Sequence, residues 1–116
     1  MAKSEKFGEL VRREREAKEI GLREMAKMIG VSPTYLSKVE RSEFPPPAED
    51  KVKAIAKIIG GNLDELLALA NRVDSDLTDI IKRRPREMAT FLRLGSKMSV
   101  EEMAKLSNRL QKSEEK

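Results

Sequence analysis

Apolar residues recur along the chain at the three- and four-residue spacing of a single helix face, in short runs cut by glycine and proline. This pattern predicts five helices before residue 73. The first covers about Ser4 to Lys18 and carries Phe7, Leu10 and Val11 on one side. Leu22 to Ile29 is the second, with Met25, Ala26 and Ile29 at helical spacing. Gly30 stops it by supplying a left-handed residue. Ser32-Pro33 opens the third helix, the serine accepting free amides and the proline suiting the first helical position. Leu36 and Val39 face its core side. Phe44-Pro45-Pro46-Pro47 ends that helix and makes a stiff connection. A fourth helix runs from about Ala48 to Ile59, with Val52, Ile55, Ala56 and Ile59 inward, and Gly60-Gly61 breaks it. Asn62 and Glu65 have capping-box spacing at the head of a fifth, Leu63 to about Asn71.

Beyond Val73 the texture changes. Ser75–Arg83 and Pro85–Leu94 are predicted as helices parted by the Arg84-Pro85 break, and Ser99 with Glu102 caps a last helix towards Gln111, after which the tail frays. The expected organisation is therefore a helical domain over residues 1–73 and a helical extension over 74–116. An apolar stripe runs through the extension: Leu77, Ile80, Ile81, Met88, Phe91, Leu92, Met98, Met103, Leu106 and Leu110. So short a segment does not easily bury such a stripe alone. Packing on the first domain or on a second subunit is the expected remedy, and Leu77, Ile80, Ile81, Phe91, Leu92, Met103 and Leu106 are the candidate dimer contacts.

Composition narrows the chemistry. The chain has three Phe, one Tyr and no Trp, and its apolar share in Ala, Leu, Ile, Val and Met favours an all-α class. There is no cysteine and no histidine, which removes thiolate metal sites, disulfides and the usual general acid–base. No tuned carboxylate pair, metal site or cofactor motif stands out, so no enzymatic activity and no cofactor are expected. Apolar runs are too short to span a membrane, and the opening MAKSEKFGEL lacks a secretory core, so a cytoplasmic location is expected. The net charge of +4, from 24 basic and 20 acidic residues, permits an anionic partner without demonstrating one, because the signs are well mixed. The basic run Lys82-Arg83-Arg84-Pro85-Arg86 is read as a solvated helix end before a nucleic-acid contact. Met25, Met28, Met88, Met98 and Met103 are read as core filler rather than a ligand pocket.

The second and third helices have the parts of a helix-turn-helix. Ala26 permits close approach, Gly30 makes the turn, and Val31, Leu36 and Val39 fill the angle between the helices. The outer side of the third helix keeps Ser32, Thr34, Tyr35, Ser37 and Lys38, a face suited to the major groove. From Phe7 to Leu69, including GLREMAKMIGVSPTYLSKVERSEF, the chain resembles the Cro/C1-type (xenobiotic-response-element) helix-turn-helix domain of phage and bacterial repressors. The resemblance implies a five-helix, lambda-repressor-like DNA-binding domain acting as a homodimer on a two-fold operator in double-stranded DNA. It places base-reading positions at Ser32, Pro33, Thr34 and Lys38. Backbone contacts are expected at Leu22, Arg23, Tyr35, Arg41 and Ser42. It also implies an ion pair between Arg15 and Glu40, read as structural. The chain departs from the family at Gly21 and Leu22, where a Ser or Thr cap followed by Gln is common, and at Ser42, where glycine is usual. The competing reading is a protein-interaction module, antitoxin-like, whose C-terminal helices bind a partner protein.

Overall fold

Residues 5–115, described by a computed structural model, form eight helices, with no strand among them. The chain divides into two units, the first ending at Asp74 and the second beginning at Ser75. The first contains α1 (Phe7–Ala17), α2 (Leu22–Ile29), α3 (Pro33–Glu40), α4 (Glu49–Ile59) and α5 (Leu63–Leu69). The second contains α6 (Ser75–Arg83), α7 (Pro85–Gly95) and α8 (Val100–Glu114).

Local chemistry sets most of the helix ends. Gly30 closes α2 at φ 76°, ψ 37°, the left-handed state that costs glycine nothing. Ser32 caps α3, its side chain accepting the Tyr35 amide at 3.1 Å, and Pro33 sits in the first turn. Asn62 caps α5 by accepting from the Glu65 amide at 3.0 Å. Lysine 51 supplies a cap no local pattern announces: Lys51 Nζ donates to the Ile29 carbonyl at 3.0 Å, fastening α4 to the end of α2.

One apolar core unites the first unit. Phe7 and Val11 of α1 meet Met25, Ala26 and Ile29 of α2, Leu36 and Val39 of α3, Val52, Ile55 and Ile59 of α4, and Leu66, Leu67 and Ala70. Side chains of this kind contribute about 1.5–3 kcal/mol each when fully buried, so the angle between α2 and α3 is held by several times that amount. The stiff proline segment is tied down as well. Pro47 is buried, and Arg72 Nε donates to its carbonyl at 2.7 Å.

Some boundaries and faces differ from the expectation. The expected start of the first helix at Ser4 lies outside the described residues; α1 ends at Ala17, one residue early, because Glu19 turns left-handed at φ 57°. Likewise α5 stops at Leu69, since Asn71 adopts φ 60°. The tail predicted to fray continues as helix to Glu114. Met28 is not core filler: it is 56% exposed, because Met25, Ala26 and Ile29 already occupy the inward arc and 100° per residue carries Met28 outside. Met103 is exposed too.

The second unit is built differently. Pro85 starts α7, and Ser99 and Glu102 form a reciprocal capping box at α8, with contacts of 3.0 and 3.1 Å. The Ser99 backbone amide, then its hydroxyl, hold the Glu102 carboxyl below its ordinary range. Yet no residue of α6, α7 or α8 is buried. Leu77, Ile80, Phe91, Leu92, Leu94, Met103 and Leu110 all remain exposed, while Ile81, Met88, Met98 and Leu106 are half-buried.

Candidate nucleic-acid interface

Three residues of α3, Leu36, Val39 and Glu40, are buried, which fixes the helix's rotation. Thr34, Ser37, Lys38 and Arg41 stand at the complementary i, i+3, i+4, i+7 positions and form an outward polar row. Ser32 and Thr34 are exposed, and Pro33, Tyr35 and Lys38 are half-buried. The Ser32 oxygen is engaged in capping, which leaves its hydroxyl proton free to donate. Thr34 and Lys38, one turn apart, share a face.

Of the five positions expected to touch a phosphate backbone, Leu22 and Arg41 line one cleft, while Arg23, Tyr35 and Ser42 do not. That cleft, of about 190 Å³, is completed by Arg12, Arg15, Ser37 and Glu40. Gly21 gives α2 no side-chain cap, so its first amides are not engaged by one. Arg23 is exposed in that first turn. Arg41 pairs with Glu43 at 2.9 Å; both are about half exposed, and so weak a pair is readily exchanged for a stronger anion.

Beneath this surface lies a buried fork. Arg15 Nε and Nη2 donate to the two Glu40 carboxylate oxygens at 2.8 and 2.9 Å, and Nη1 donates to the Ile20 carbonyl at 2.8 Å. Hydrogen bonding to Glu40 raises the Arg15 pKa against the opposing effect of burial, with the charges of Glu40 and Glu16 adding to the rise. Every donor direction of the guanidinium that faces inward has an acceptor, and no buried side-chain polar atom among the described residues lacks a partner. The pair therefore joins the ends of α1 and α3 and has no free valence for chemistry.

A family model for the helix-turn-helix, HTH_3, matches residues 11–66. The solution structure of the DNA-binding domain of the P22 C2 repressor is 32% identical, with a TM-score of 0.50, and the match covers 57% of this chain and 86% of that one. The chain belongs to the Cro/C1-type helix-turn-helix family.

That family consists of DNA-binding transcription regulators rather than enzymes. The clp gene regulator ClgR from C. glutamicum is also similar, at 31% identity over 56% of this chain and 83% of that one, TM-score 0.47. A structure of the SinR protein/SinI protein complex matches 95% of this chain and 99% of its own, at 18% identity and TM-score 0.50, a likeness of fold that reaches beyond the helix-turn-helix. No curated protein matches. Among the described residues, no helix is long and apolar enough to cross a membrane.

Ser42, where this Cro/C1-type chain departs from the usual glycine, adopts φ 62°. A serine held there costs on the order of 1 kcal/mol. Ser42→Gly is accordingly expected to stabilise the fold by up to about 1 kcal/mol, less the extra freedom glycine gains when unfolded. Urea denaturation of both proteins measures it, and a destabilised glycine variant would refute the strain argument.

One aromatic of the interface escaped the sequence reading. Phe44, read there only as a helix stop, lies with Lys38 Nζ 5.0 Å from its ring centroid and the Tyr35 ring 5.9 Å away. The scarcity of aromatics, three Phe and one Tyr in the chain, was the one signal the sequence offered.

Proposed function

We propose that this protein is a sequence-specific transcriptional repressor that binds a two-fold operator in double-stranded DNA as a homodimer, inserting α3 into the major groove. It acts in the cytoplasm, without a cofactor, through a five-helix lambda-repressor-like domain followed by a dimerising helical extension. The observation that carries this reading is the outward row of Thr34, Ser37, Lys38 and Arg41 on a helix whose rotation is fixed by Leu36, Val39 and Glu40. Lys38 would donate to guanine O6 or N7, and Thr34 would bond a base edge or touch a thymine methyl, with Ser32 and Pro33 at the entry to the groove. Leu22, Arg23, Tyr35, Arg41 and Ser42 would hold the phosphates. Likeness to the P22 C2 repressor's DNA-binding domain supports the assignment.

Homodimerisation is supported by the exposed apolar residues of α6–α8, which a second copy would cover. Two copies so joined would present recognition helices to half-sites about 34 Å apart. The same exposed face favours a second reading, in which the extension takes a different protein. The mass of the isolated chain in solution separates the two: a dimer favours the repressor, a monomer the missing partner.

Selection of bound sequences from randomised duplex DNA tests the main reading. The wild-type chain should enrich an inverted repeat, and a folded Thr34→Ala/Lys38→Ala variant should lose it. Each good base contact is worth about 1–3 kcal/mol, so the double variant should lose roughly 30-fold or more in specific affinity. If the wild type enriches nothing at moderate salt, α3 is not a sequence reader.

A further inference from the structure

We propose that Phe44 is a positioning residue for base readout: it holds the Lys38 ammonium on the outer face of α3 and so sets which base pair that cation selects. The inference rests on the DNA-reading function proposed above and names a determinant of its specificity.

The backbone after α3 doubles back on the helix. Ser42 N donates to the Val39 carbonyl at 3.0 Å, and the amides of Glu43 and Phe44 both donate to the Lys38 carbonyl, at 2.8 and 3.2 Å. The left-handed Ser42 makes this return possible. The Phe44 ring is thereby brought beside the side chain whose own carbonyl anchors the loop. Lys38 Nζ then sits 5.0 Å from the ring centroid, within cation–π range. The Tyr35 ring also packs against Phe44, at 5.9 Å with a tilt of 48°, and Tyr35 in turn packs against the core. Two and three residues further along the chain, the carbonyls of Pro46 and Pro47 are held by Arg72. A continuous line of contacts therefore runs from the core through Tyr35 and Phe44 to Lys38.

Core packing does not account for this ring, which is 39% exposed and lies outside the apolar cluster. Its chemistry does suit the lysine. An unrestrained lysine samples many rotamers and offers a strongly hydrated charge of poor directionality. A ring face on one side restricts that sampling and leaves N–H donors free for guanine O6 and N7. In the free chain the neighbouring Glu43 carboxylate accepts from Arg41 at 2.9 Å, and Lys38 Nζ lies over the Phe44 ring.

The test measures affinity for the selected operator and for each of its single-base variants, using wild type, Phe44→Leu, Phe44→Met, Phe44→Tyr and Lys38→Met. Thermal melts check that each variant is folded, and the leucine and methionine variants provide two independent removals of the ring face. Both should lose about fivefold in discrimination, the scale of one cation–π contact. The loss should fall only at the base position that Lys38→Met also blurs, with the salt dependence unchanged. Phe44→Tyr should retain the wild-type profile, and Phe44→Leu added to Lys38→Met should produce no further change at that position. Uniform weakening across all sequences, or an unaltered profile, would overturn the positioning role while leaving DNA reading intact. A wild-type chain that selects no sequence overturns the DNA-reading function, and this inference with it.

Discussion

Glu40→Ala is expected to destabilise the first unit by about 3–5 kcal/mol, the usual consequence of leaving one member of a buried ion pair without its partner. Glu40 is 5% exposed and takes both arms of the Arg15 fork. Arginine does not discharge to escape, and the Ile20 carbonyl at 2.8 Å satisfies one donor but no charge. Its folded pKa is raised, so the contribution is complete below the unfolded value and lost only as pH climbs through the higher folded one. No alkaline loss of this interaction is therefore expected between neutral pH and pH 10. Replacing both partners, as in Arg15→Met/Glu40→Leu, should recover most of the loss, since apolar residues of similar volume often substitute for a buried pair without penalty. Denaturant titration of wild type, Arg15→Met, Glu40→Leu and the double variant closes the cycle, with Glu40→Ala measured beside them. Single losses below about 1 kcal/mol that merely add in the double variant would disprove the account. A domain of this size has a total stability of roughly 5–10 kcal/mol. Such a loss removes about a third or more of that margin, so DNA binding by Glu40→Ala has to be scaled to its folded fraction before Glu40, at the end of α3, is read as a DNA contact.

How much of this was legible in the chain depends on how far the deciding force reaches. The α2–α3 turn could be read directly, because Gly30, Ser32 and Pro33 act on their own backbone and immediate neighbours. The polar row on α3 followed from periodicity once Leu36 and Val39 were assigned inward. Periodicity was less decisive for Met28, where several apolar residues compete for one arc and only packing selects among them. Phe44 was read as part of a helix stop because its meeting with Lys38 depends on the left-handed turn at Ser42, a through-space event with no spacing rule. Lys51 at the end of α2 is similar: it lies 22 residues from the carbonyl it caps. In the second unit the apolar stripe was plain, but its exposure in a single chain was not, since nothing in the pattern says whether a stripe is covered by its own fold.

Gly8 is the sharpest case of such a hidden constraint, and Gly8→Ala is the second substitution expected to have a large effect. A Cβ added there would run into the Val39 carbonyl oxygen and lie 2.7 Å from that of Glu40 and 3.0 Å from the Glu40 carbonyl carbon. These are backbone atoms at the end of α3, with no rotamer by which to move aside. Alanine's better helix propensity favours the variant by at most about 1 kcal/mol. Against that stands displacement of α1 from α3, with an overpacking cost of about 1–3 kcal/mol before any loss to the Arg15–Glu40 fork, which spans the same two helices. The clash should win, with a net fall in Tm on the order of 10 °C, given about 4–8 °C per kcal/mol for a unit of this length. Gly21→Ala provides the contrast. Its φ is −68° and its Cβ would meet only the Glu24 Cβ at 4.0 Å, so its Tm should move by no more than a few degrees. Equal melting of the two variants would show that α1 and α3 yield to each other freely. A selective loss at Gly8 would mean that α3 is held in place by a contact too close for any side chain.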